Sequence, residues 1–315
     1  MRFLYLRSAS AYIIEGYEIF ITNTCRGEYR VMWLKYFLIV IGVIVLGIAG
    51  FGLSARVRLN RENRGLVEDL FRNAEPESDR VFHAEDLEGL PAPVKRYLSH
   101  VLTEGRPYVR TVRLEQKGEF RMGGRDAPWK PLHATQHFTV DPPGFVWEAA
   151  ITVVPPLSAR VVDMYAGGRG ILQAKILSLF TVVDAGPSPE MNEGELLRYL
   201  AESVWFPTSL LPGEGVEWNS IDGQSARASL THNGNSVSLV FSFNERNEVE
   251  RVFAEKRYRE IDGAFEPTPW TGCFTNYEER NGMLIPLDGE VAWNLPDGDL
   301  SYWRGRIETI EYRAR

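Results

Sequence analysis

An uninterrupted apolar stretch constrains this chain more than any other feature of its sequence. Residues Tyr36–Ala55 carry no charged side chain over twenty positions. A helix rises about 1.5 Å per residue, so this length covers the roughly 30 Å hydrocarbon layer of a bilayer. The stretch is longer than the core of a signal peptide, and Leu53 is bulky where a cleavage site needs a small residue. The sequence therefore predicts a retained single-pass membrane anchor at residues 32–56.

The segment before the anchor allows two interpretations. Residues 1–31 show no clean helical or strand period, and Met32 stands directly before the apolar stretch. Either translation begins at Met32 and the tail is a mis-called start, or the tail is a short structured or disordered segment. Lysines and arginines are balanced across the span when counted from Met1, whereas a start at Met32 leaves only Lys35 before it and favours a cytoplasmic domain.

The chain beyond the anchor has the composition of an ordinary globular domain. Its roughly 260 residues suffice for one large β domain or two smaller ones. The formal net charge is −7, and acids are mixed with arginines. This pattern contains no basic stripe, so no nucleic-acid partner is expected. Only Cys273 lies in the domain, which excludes an internal disulfide and leaves the redox compartment open.

Residues 57–104 form a predicted juxtamembrane helical segment. Two apolar stripes recur there at helical spacing, one comprising Leu66, Val67, Leu70 and Phe71 and the other Val94, Tyr97, Leu98, Val101 and Leu102. Pro91 or Pro93 opens the second helix, because a proline at the first helical position loses no hydrogen bond. Gly105 and Pro107 end it.

From residue 105 to 315 the sequence predicts a β-rich domain. Every odd position from Arg113 to Arg121 is charged, which is typical of a half-buried antiparallel strand. Further strands are predicted at His133–Val140, Phe145–Val154, Ala159–Tyr165, Gly170–Val183, Val216–Ile221, Ala226–Thr231, Ser236–Phe243, Val249–Glu260, Phe265–Glu279, Met283–Trp293 and Ser301–Tyr312. Between them lie turn sequences such as Pro155-Pro156, Gly167-Gly168 and Asn233-Gly234.

One helix is inserted among the strands, at residues 189–205. Its apolar face comprises Leu196, Leu197, Leu200, Ala201 and Val204, and its expected solvent face comprises Glu195, Arg198 and Glu202. The whole pattern lacks a βαβ rhythm. It predicts the α+β class: a large antiparallel sheet with two or three helices, preceded by one transmembrane helix.

Six sequence blocks stand out between Leu90 and Tyr312: LPAPVKRYL, PPGFVWEA, LLRYLAESVWFPTSLLPGEGVEW, TPWTG, GEVAW and YWRGRIETIEY. They resemble those of a bacterial family of uncharacterised proteins, domain of unknown function 6544. The family implies no established activity. The strand and helix pattern is also similar to the half-barrel sheet of bacterial lipoprotein carriers, which wraps a helix and holds acyl chains. This similarity implies a half-barrel and slightly favours an extracytoplasmic domain, but a fold does not give a function.

Aromatic residues give the strongest candidate for a binding site. Each tryptophan can bury on the order of 150–250 Å², and core packing explains most of the seven in the domain. The functional alternative is a wide apolar cavity that would bind a lipid or other lipophile. Its predicted lining is Trp205, Phe206, Trp270, Trp293 and Trp303, with Tyr302, Arg304 and Arg306 at the mouth. Arginines there would bind a carboxylate or phosphate headgroup.

Carboxylates support a second hypothesis, an enzyme that acts on membrane-derived substrates. The candidates are Asp163 in an apolar strand, Glu202 and Glu290. Glu202 lies one helical turn after Arg198, which a simple surface ion pair also explains. The third hypothesis is an envelope scaffold with a solid core and no ligand.

Neither a cofactor nor a metal is expected from the sequence. His133 and His137 are four residues apart on a strand, which separates them by roughly 13 Å, too far to share a metal ion. Gly167-Gly168-Arg169-Gly170 has no Lys-Ser/Thr after it and is better explained as a hairpin turn than as a phosphate loop.

Overall fold

The computed structural model describes residues 6–74, 79–155 and 157–314, with side chains from Met32 onward except at positions 48 and 49. The side chains of the predicted tail at 1–31, and Pro156 of one predicted turn, lie outside the described residues. The chain divides into two compact units, residues 1–55 and residues 56–315.

The first unit contains the apolar stretch within a long helix. Helix α1 spans Leu6–Arg72, and its part from Met32 onward is long and apolar enough to cross a membrane, with a mean hydropathy of 2.6 in its most apolar window. The side chains of this stretch, such as Phe37 and Leu46, are exposed within the chain itself. A helix with this surface suits an apolar surrounding, because its apolar residues contact no protein core.

The second unit is built on one antiparallel sheet of thirteen strands. Its strands are β1 (Thr111–Arg121), β2 (Trp129–Thr139), β3 (Gly144–Val154), β4 (Leu157–Ala166), β5 (Arg169–Ile176), β6 (Phe180–Ala185), β7 (Val216–Ser220), β8 (Ser225–His232), β9 (Asn235–Phe243), β10 (Val249–Ile261), β11 (Ala264–Arg280), β12 (Met283–Leu295) and β13 (Gly298–Arg313). The spatial order is β6-β5-β4-β3-β2-β1-β13-β12-β11-β10-β9-β8-β7. The pairing of β1 with β13 therefore joins the two halves of the chain into one half-barrel.

The two faces of the sheet differ as the alternation in β1 predicts. Its inner face carries Val112, Leu114 and Gln116, all buried, whereas Arg113 and Lys117 lie on the outer face. Because successive side chains of a strand point to opposite faces, one face can carry the core while the other stays polar. The inner face holds the main hydrophobic core.

Two helices lie on the inner face. Helix α2 (Ala92–Val101) buries the predicted stripe of Val94, Tyr97, Leu98 and Val101. Helix α3 (Pro189–Glu202) begins at the N-cap Ser188, whose Oγ accepts a hydrogen bond from the Met191 amide. It packs against β4 and β5 on one side and β9 and β10 on the other.

The predicted solvent face of α3 is wrong. Leu196, Leu197 and Leu200 are buried as expected, but Glu195 is also buried, and Arg198 and Glu202 are each less than one sixth exposed. The half-barrel contacts α3 from two sides, so its polar residues face a second wall of strands instead of water. The apolar stripe in the sequence indicates which face of α3 packs on the sheet, but it does not indicate that strands also cover the opposite, polar face.

The predicted single strand at Gly170–Val183 is also wrong, because it is a hairpin of β5 and β6. The chain turns at Leu177 and Ser178, whose φ angles are +56° and +59°. Neither residue is Gly, Asn or Asp, the types that usually adopt this left-handed conformation. The turn therefore carries no sequence signal.

The last turns of α1 cover part of the outer face. Leu70 packs with Val146, Val162 and Met164 in a second, smaller hydrophobic cluster. The amphipathic residues predicted for a juxtamembrane helix are thus the end of α1. Three short 3-10 turns complete the fold, at Ala84–Leu87, Ser203–Trp205 and Pro207–Leu210.

Candidate functional site

A buried arginine on α3 brings together two of the acids singled out in the sequence. Arg198 donates from Nη1 to Asp163 Oδ2 at 2.6 Å and from Nε to Glu202 Oε1 at 2.9 Å. Its guanidinium also lies 4.9 Å and 5.0 Å from the ring centres of Phe145 and Trp147. A charge this deep is tolerated because both carboxylates and two aromatic faces surround it.

Glutamine side chains extend this contact across the sheet. Gln136 on β2 donates to Glu202 Oε2 at 2.7 Å, and Trp147 Nε1 on β3 donates to Gln116 Oε1 at 2.9 Å. Gln116 and Gln136 are both fully buried, and Nε2 of Gln116 lies 3.4 Å from Oε1 of Gln136. Buried amides are held in this way because an unpaired one would cost a desolvation penalty.

A second buried arginine, Arg257 on β10, lies among aromatic rings. Its Nη1 donates to the Tyr302 hydroxyl at 3.0 Å, and Trp270 Nε1 donates to the same oxygen at 3.0 Å. The guanidinium stands 5.1 Å from the ring centre of Trp270 and 5.6 Å from that of Trp293. Its carboxyl neighbour is Glu195 of α3, with Nη2 and Oε1 3.7 Å apart.

Burial changes the protonation of this cluster. The pKa of Glu195 is raised well above its usual value, first by burial and then by the nearby Asp163 carboxylate. Burial also raises the pKa of Glu202, against the opposing effect of Arg198. Burial alone would lower the pKa of Arg198, but its carboxylate neighbours more than offset this, so it stays charged. A raised pKa at Glu195 favours its neutral form, which presents no negative charge to Arg257.

Four partly exposed aromatic rings form what we call the aromatic mouth: Phe120, Trp293, Tyr302 and Trp303. Trp293 and Tyr302 contact Arg257 directly, Phe120 contacts Tyr302, and Trp303 follows Tyr302 in β13. Trp293 stacks on Tyr302 with ring centres 5.6 Å apart, and Phe120 meets Tyr302 edge-on at 6.1 Å. Phe120 lies one residue from the end of β1, and Trp293 lies two residues from the end of β12. The aromatic mouth is therefore at the edge of the inner face formed by the β1–β2 and β12–β13 turns.

A β-bulge explains how the consecutive residues Tyr302 and Trp303 both reach the core. Val291 pairs with Trp303 while Ala292 pairs with Ser301, so Tyr302 is the extra residue of β13. Regular alternation had predicted Tyr302 on the same face as Arg304 and Arg306. The bulge separates Tyr302 from those two arginines.

Two other predicted lining residues lie elsewhere. Trp205 and Phe206 are almost completely buried just after α3. Trp205 packs edge-on against Phe274, and Phe206 packs against Phe138 and Tyr199. Trp270 does contact the aromatic mouth through Tyr302 but is itself buried. The structure thus brings together Trp270, Trp293, Tyr302 and Trp303 and leaves Trp205 and Phe206 in the closed core.

Arg304, Arg306 and Glu290 lie on the outer face instead. Arg304 pairs with Glu119, and Arg306 pairs with Asp288 at 2.9 Å. Glu290 accepts a hydrogen bond from the Ser301 hydroxyl. These side chains border a shallow cleft of about 400 Å³ that also includes Lys117 and Cys273. A headgroup-binding role for the two arginines stays a prediction.

Three further open clefts have volumes of about 310–430 Å³. One lies between the end of α1 and the outer face, one beside Leu102 and Met283, and one beside α3 and β9. None of the four is lined by the aromatic mouth or by Asp163, Glu195 or Glu202. The acids converge, but they do so around Arg198 in the packed interior.

The histidines noted in the sequence have separate environments. His133 is exposed, whereas His137 is half-buried against Phe71 of α1, and burial lowers its pKa to about 4. An exposed group of His83, Glu85 and Glu104 lies beside the Ala84–Leu87 turn, with Nδ1 of His83 2.7 Å from Glu104. Hydrogen bonding to Glu104 raises the pKa of His83.

The sequence-based prediction missed Arg257, Glu195 and the two glutamines as site residues. Gln116 and Gln136 fall at inner-face positions, so a polar residue in the core register was an available signal. Arg257 gave no such signal in the sequence, because the β10–β11 register shifts between Ala254 and Arg257. Simple alternation from the buried Ala254 therefore places Arg257 on the wrong face.

Comparison with known proteins adds a family but no activity. A family model described as a family of unknown function (DUF6920) matches residues 88–312. The family number expected from the sequence blocks, 6544, is wrong, although both describe uncharacterised proteins. No curated protein matches the chain.

Two solved structures show weak similarity. A LolA superfamily protein from Nitrosomonas europaea is 10% identical with a TM-score of 0.38, over 70% of this chain and 92% of that one. A beta-barrel-like protein of the domain of unknown function DUF1849 from Brucella abortus is 6% identical with a TM-score of 0.21, over 66% of this chain and 99% of that one. No function follows from similarity at this level.

Proposed function

The chain belongs to the DUF6920 family, whose members have no stated activity, and we propose from its own geometry that it is a membrane-tethered domain that binds a lipid or other lipophile. The observation that carries this proposal is the aromatic mouth around Arg257. Four partly exposed aromatic rings beside a buried cation offer an apolar surface and a charge to the same ligand.

The chemistry of the aromatic mouth favours an amphiphile with an acidic end. Phe120, Trp293 and Trp303 supply the apolar contacts. Arg257 is held by Tyr302 and by two tryptophan faces, while its carboxyl neighbour Glu195 has a raised pKa. A carboxylate or phosphate that reached Arg257 would form a charge-assisted hydrogen bond in a poorly hydrated site. The partner is thus a lipid or fatty-acid-like molecule.

The tether in this proposal is the apolar part of α1. Residues Tyr36–Ala55 are long enough to cross a bilayer, and Trp33 and Tyr36 at their beginning suit the membrane interface. A tethered domain meets lipids at high local concentration, so even a weak site would be filled.

A carboxylate-dependent enzyme is the weaker candidate. Asp163 and Glu202 meet at Arg198, which is the convergence such an enzyme needs. However, both acids are packed in the interior, and a general acid or base must lie within hydrogen-bond reach of its substrate. The ion pairs with Arg198 explain both side chains without a reaction.

Lipid retention by the full chain tests the proposal. We expect native mass spectrometry of the protein released from detergent micelles to show a bound lipid in stoichiometric amount. In the double variant Phe120→Leu/Trp303→Leu, the lost aromatic contact area should weaken retention several-fold.

The matched control is Trp129→Leu. Trp129 lies at the same edge of the sheet but on the outer face, between Arg121 and Arg304. This variant should retain lipid as the parent does. Equal lipid retention in the double variant and the parent would contradict the site, and a parent without lipid would favour the scaffold hypothesis.

A further inference from the structure

An exposed apolar hairpin stands apart from the proposed lipid site. The apolar tip, as we call it, comprises five residues of the β5–β6 hairpin and the last residue of β3: Leu177, Leu179, Phe180, Val182, Val183 and Val154. Phe180 is 62% exposed, Val154 61% and Leu177 56%. The run from Ile176 to Val183 contains no charge. Several large apolar side chains exposed on one hairpin mark an interaction site on a folded protein.

The turn of the hairpin is costly for the protein alone. Leu177 and Ser178 both have positive φ, a conformation that disfavours residues with a branched or bulky side chain. The Leu179 amide closes the turn on the Ile176 carbonyl at 3.1 Å. The strained backbone thereby holds Leu177 outward, although its side chain is mostly in solvent. Such strain without internal packing indicates that something outside the fold uses this side chain.

Contacts along the outer face show which end of the second unit carries the apolar tip. Towards the N-terminus of α1, Leu70 packs near Gly144 at the start of β3, and Asn63 then donates to Glu148 further along β3 at 2.8 Å. Glu62 lies 3.7 Å from Lys175, near the end of β5. This course leads towards the β3–β4 and β5–β6 turns.

Arg56, the first residue of the second unit, and the apolar tip therefore lie at the same end of this unit. Arg56, the residue after the span, acts electrostatically on Arg160 of β4, and Arg160 pairs with Lys175 in the sheet. Leu177 and Ser178 lie two and three residues beyond Lys175. At about 3.3 Å per residue, the tip extends roughly 7–10 Å past Lys175. Arg56 lies roughly 9 Å past Glu62 along α1, at about 1.5 Å per residue, so the tip reaches about as far as Arg56.

Cations surround the base of the apolar tip. Arg160 and Lys175 lie on the strands there, and Arg56, Arg58 and Arg61 lie on α1, where Glu62 pairs with Arg58 and Lys175. Basic residues beneath an apolar surface are typical of proteins that rest on anionic lipid headgroups.

We propose that the apolar tip inserts into the bilayer that the α1 span crosses, with Arg56, Arg160 and Lys175 at the headgroups. The occupant of this surface is the lipid bilayer itself. This inference rests on the proposed tether, but not on a lipid in the aromatic mouth. It assigns the β5–β6 hairpin as a second membrane contact that fixes the domain on the surface.

A fluorescent label tests the insertion in the full chain. Cys25 and Cys273 are replaced by Ser, and Phe180→Cys carries the environment-sensitive dye NBD. The protein is reconstituted into vesicles of phosphatidylcholine and phosphatidylglycerol. The label at position 180 should emit at shorter wavelength and be quenched by brominated acyl chains, and iodide should quench it several-fold less than a control label.

The control label is placed by Ile221→Cys. Ile221 is another exposed apolar residue, and it lies in the β7–β8 turn, which antiparallel order puts at the opposite strand ends. Iodide quenching as strong at position 180 as at position 221, in protein that floats with the vesicles, would overturn the insertion alone. A chain that fails to float with vesicles would overturn the tether and the insertion together.

Discussion

At the scale of single residues, the buried charges of α3 have the largest predicted consequences. Arg198 holds Asp163 and Glu202 in the interior, and both carboxylates depend on it for compensation. A surface ion pair would contribute about 0–1 kcal/mol. Removing one partner of a buried pair costs more, because the remaining charges lose their compensation without regaining water.

The first prediction is that Arg198→Ala destabilises the fold by about 3–5 kcal/mol. The loss should shrink as the pH falls, because Glu202, whose pKa is raised by burial, can then take up a proton. Chemical unfolding of the full chain in detergent, followed by tryptophan fluorescence, measures both effects. The control Arg58→Ala removes an exposed arginine that also pairs with a glutamate four residues on, and it should change stability by less than about 0.5 kcal/mol. Similar losses in the two variants would contradict the account.

The second prediction concerns the proton on Glu195. Its folded pKa is raised above the usual value of 4.5, so the folded state binds more protons than the unfolded state once the pH exceeds that value. The parent should therefore lose stability as the pH rises from 4.5 towards the folded pKa. Glu195→Gln removes this ionisation and should be more stable than the parent at pH 8, with the difference vanishing near pH 4. A parallel pH dependence of unfolding in both proteins would show that Glu195 is ionised in the fold.

At the scale of elements, the pairing of β1 with β13 joins the two halves of the sheet. Gly118 of β1 faces Gly305 of β13, and a Cβ atom on Gly118 would lie against the Arg304 carbonyl oxygen and 2.8 Å from the Gly305 Cα. Those are backbone atoms, which cannot rotate away as a side chain can. Only glycine allows the two strands to approach this closely.

The third prediction is that Gly118→Ala lowers stability by about 2–3 kcal/mol or more, because the strands must separate. The control is Gly186→Ala, where a Cβ atom meets nothing within 4 Å and φ is not positive. That variant should be neutral or slightly stabilising. Thermal unfolding followed by circular dichroism compares the two variants. Equal unfolding midpoints would show that β1 and β13 are not closely packed at Gly118.

Most elements were predictable from the sequence because their periods are clean. The charged odd positions of β1 and the stripe of α2 each show one buried face, and a period of 2 or 3.6 reports that directly. The β5–β6 turn could not be predicted from the sequence, since Leu177 and Ser178 are not residue types that usually form turns. The bulges at Tyr302 and before Arg257 could not be predicted either. One extra residue reverses the alternation of inward and outward side chains, and no residue type in the sequence signals it.

At the scale of the whole molecule, the site depends on pairings distant in sequence. The aromatic mouth combines Phe120 of β1 with residues of β12 and β13, which meet only because the last strand returns to the first. The tryptophans indicated an aromatic site, but the sequence could not tell Trp293 at the edge from Trp205 in the core. That distinction is set by where α3 ends inside the half-barrel.

The fourth prediction concerns the tether. The full chain should stay in the membrane pellet after washing with alkaline carbonate, since the apolar residues 36–55 are far more stable in lipid than in water. A variant with two central residues charged, Val43→Asp/Leu46→Asp, should be released, because each charge costs about 2.5–3.5 kcal/mol at the bilayer centre. Release of the parent by carbonate would contradict the anchor.

Photo-crosslinking of lipid to the full chain tests the central claim most directly. The protein is reconstituted in vesicles that contain a phospholipid with a diazirine on its acyl chain, illuminated, and mapped by peptide mass spectrometry. We expect labelled peptides that contain Phe120, Trp293 or Trp303, in addition to the α1 span, and loss of the labels at these three residues when excess fatty acid competes. Labels confined to the span and the β5–β6 hairpin, with the aromatic mouth unlabelled, would contradict it.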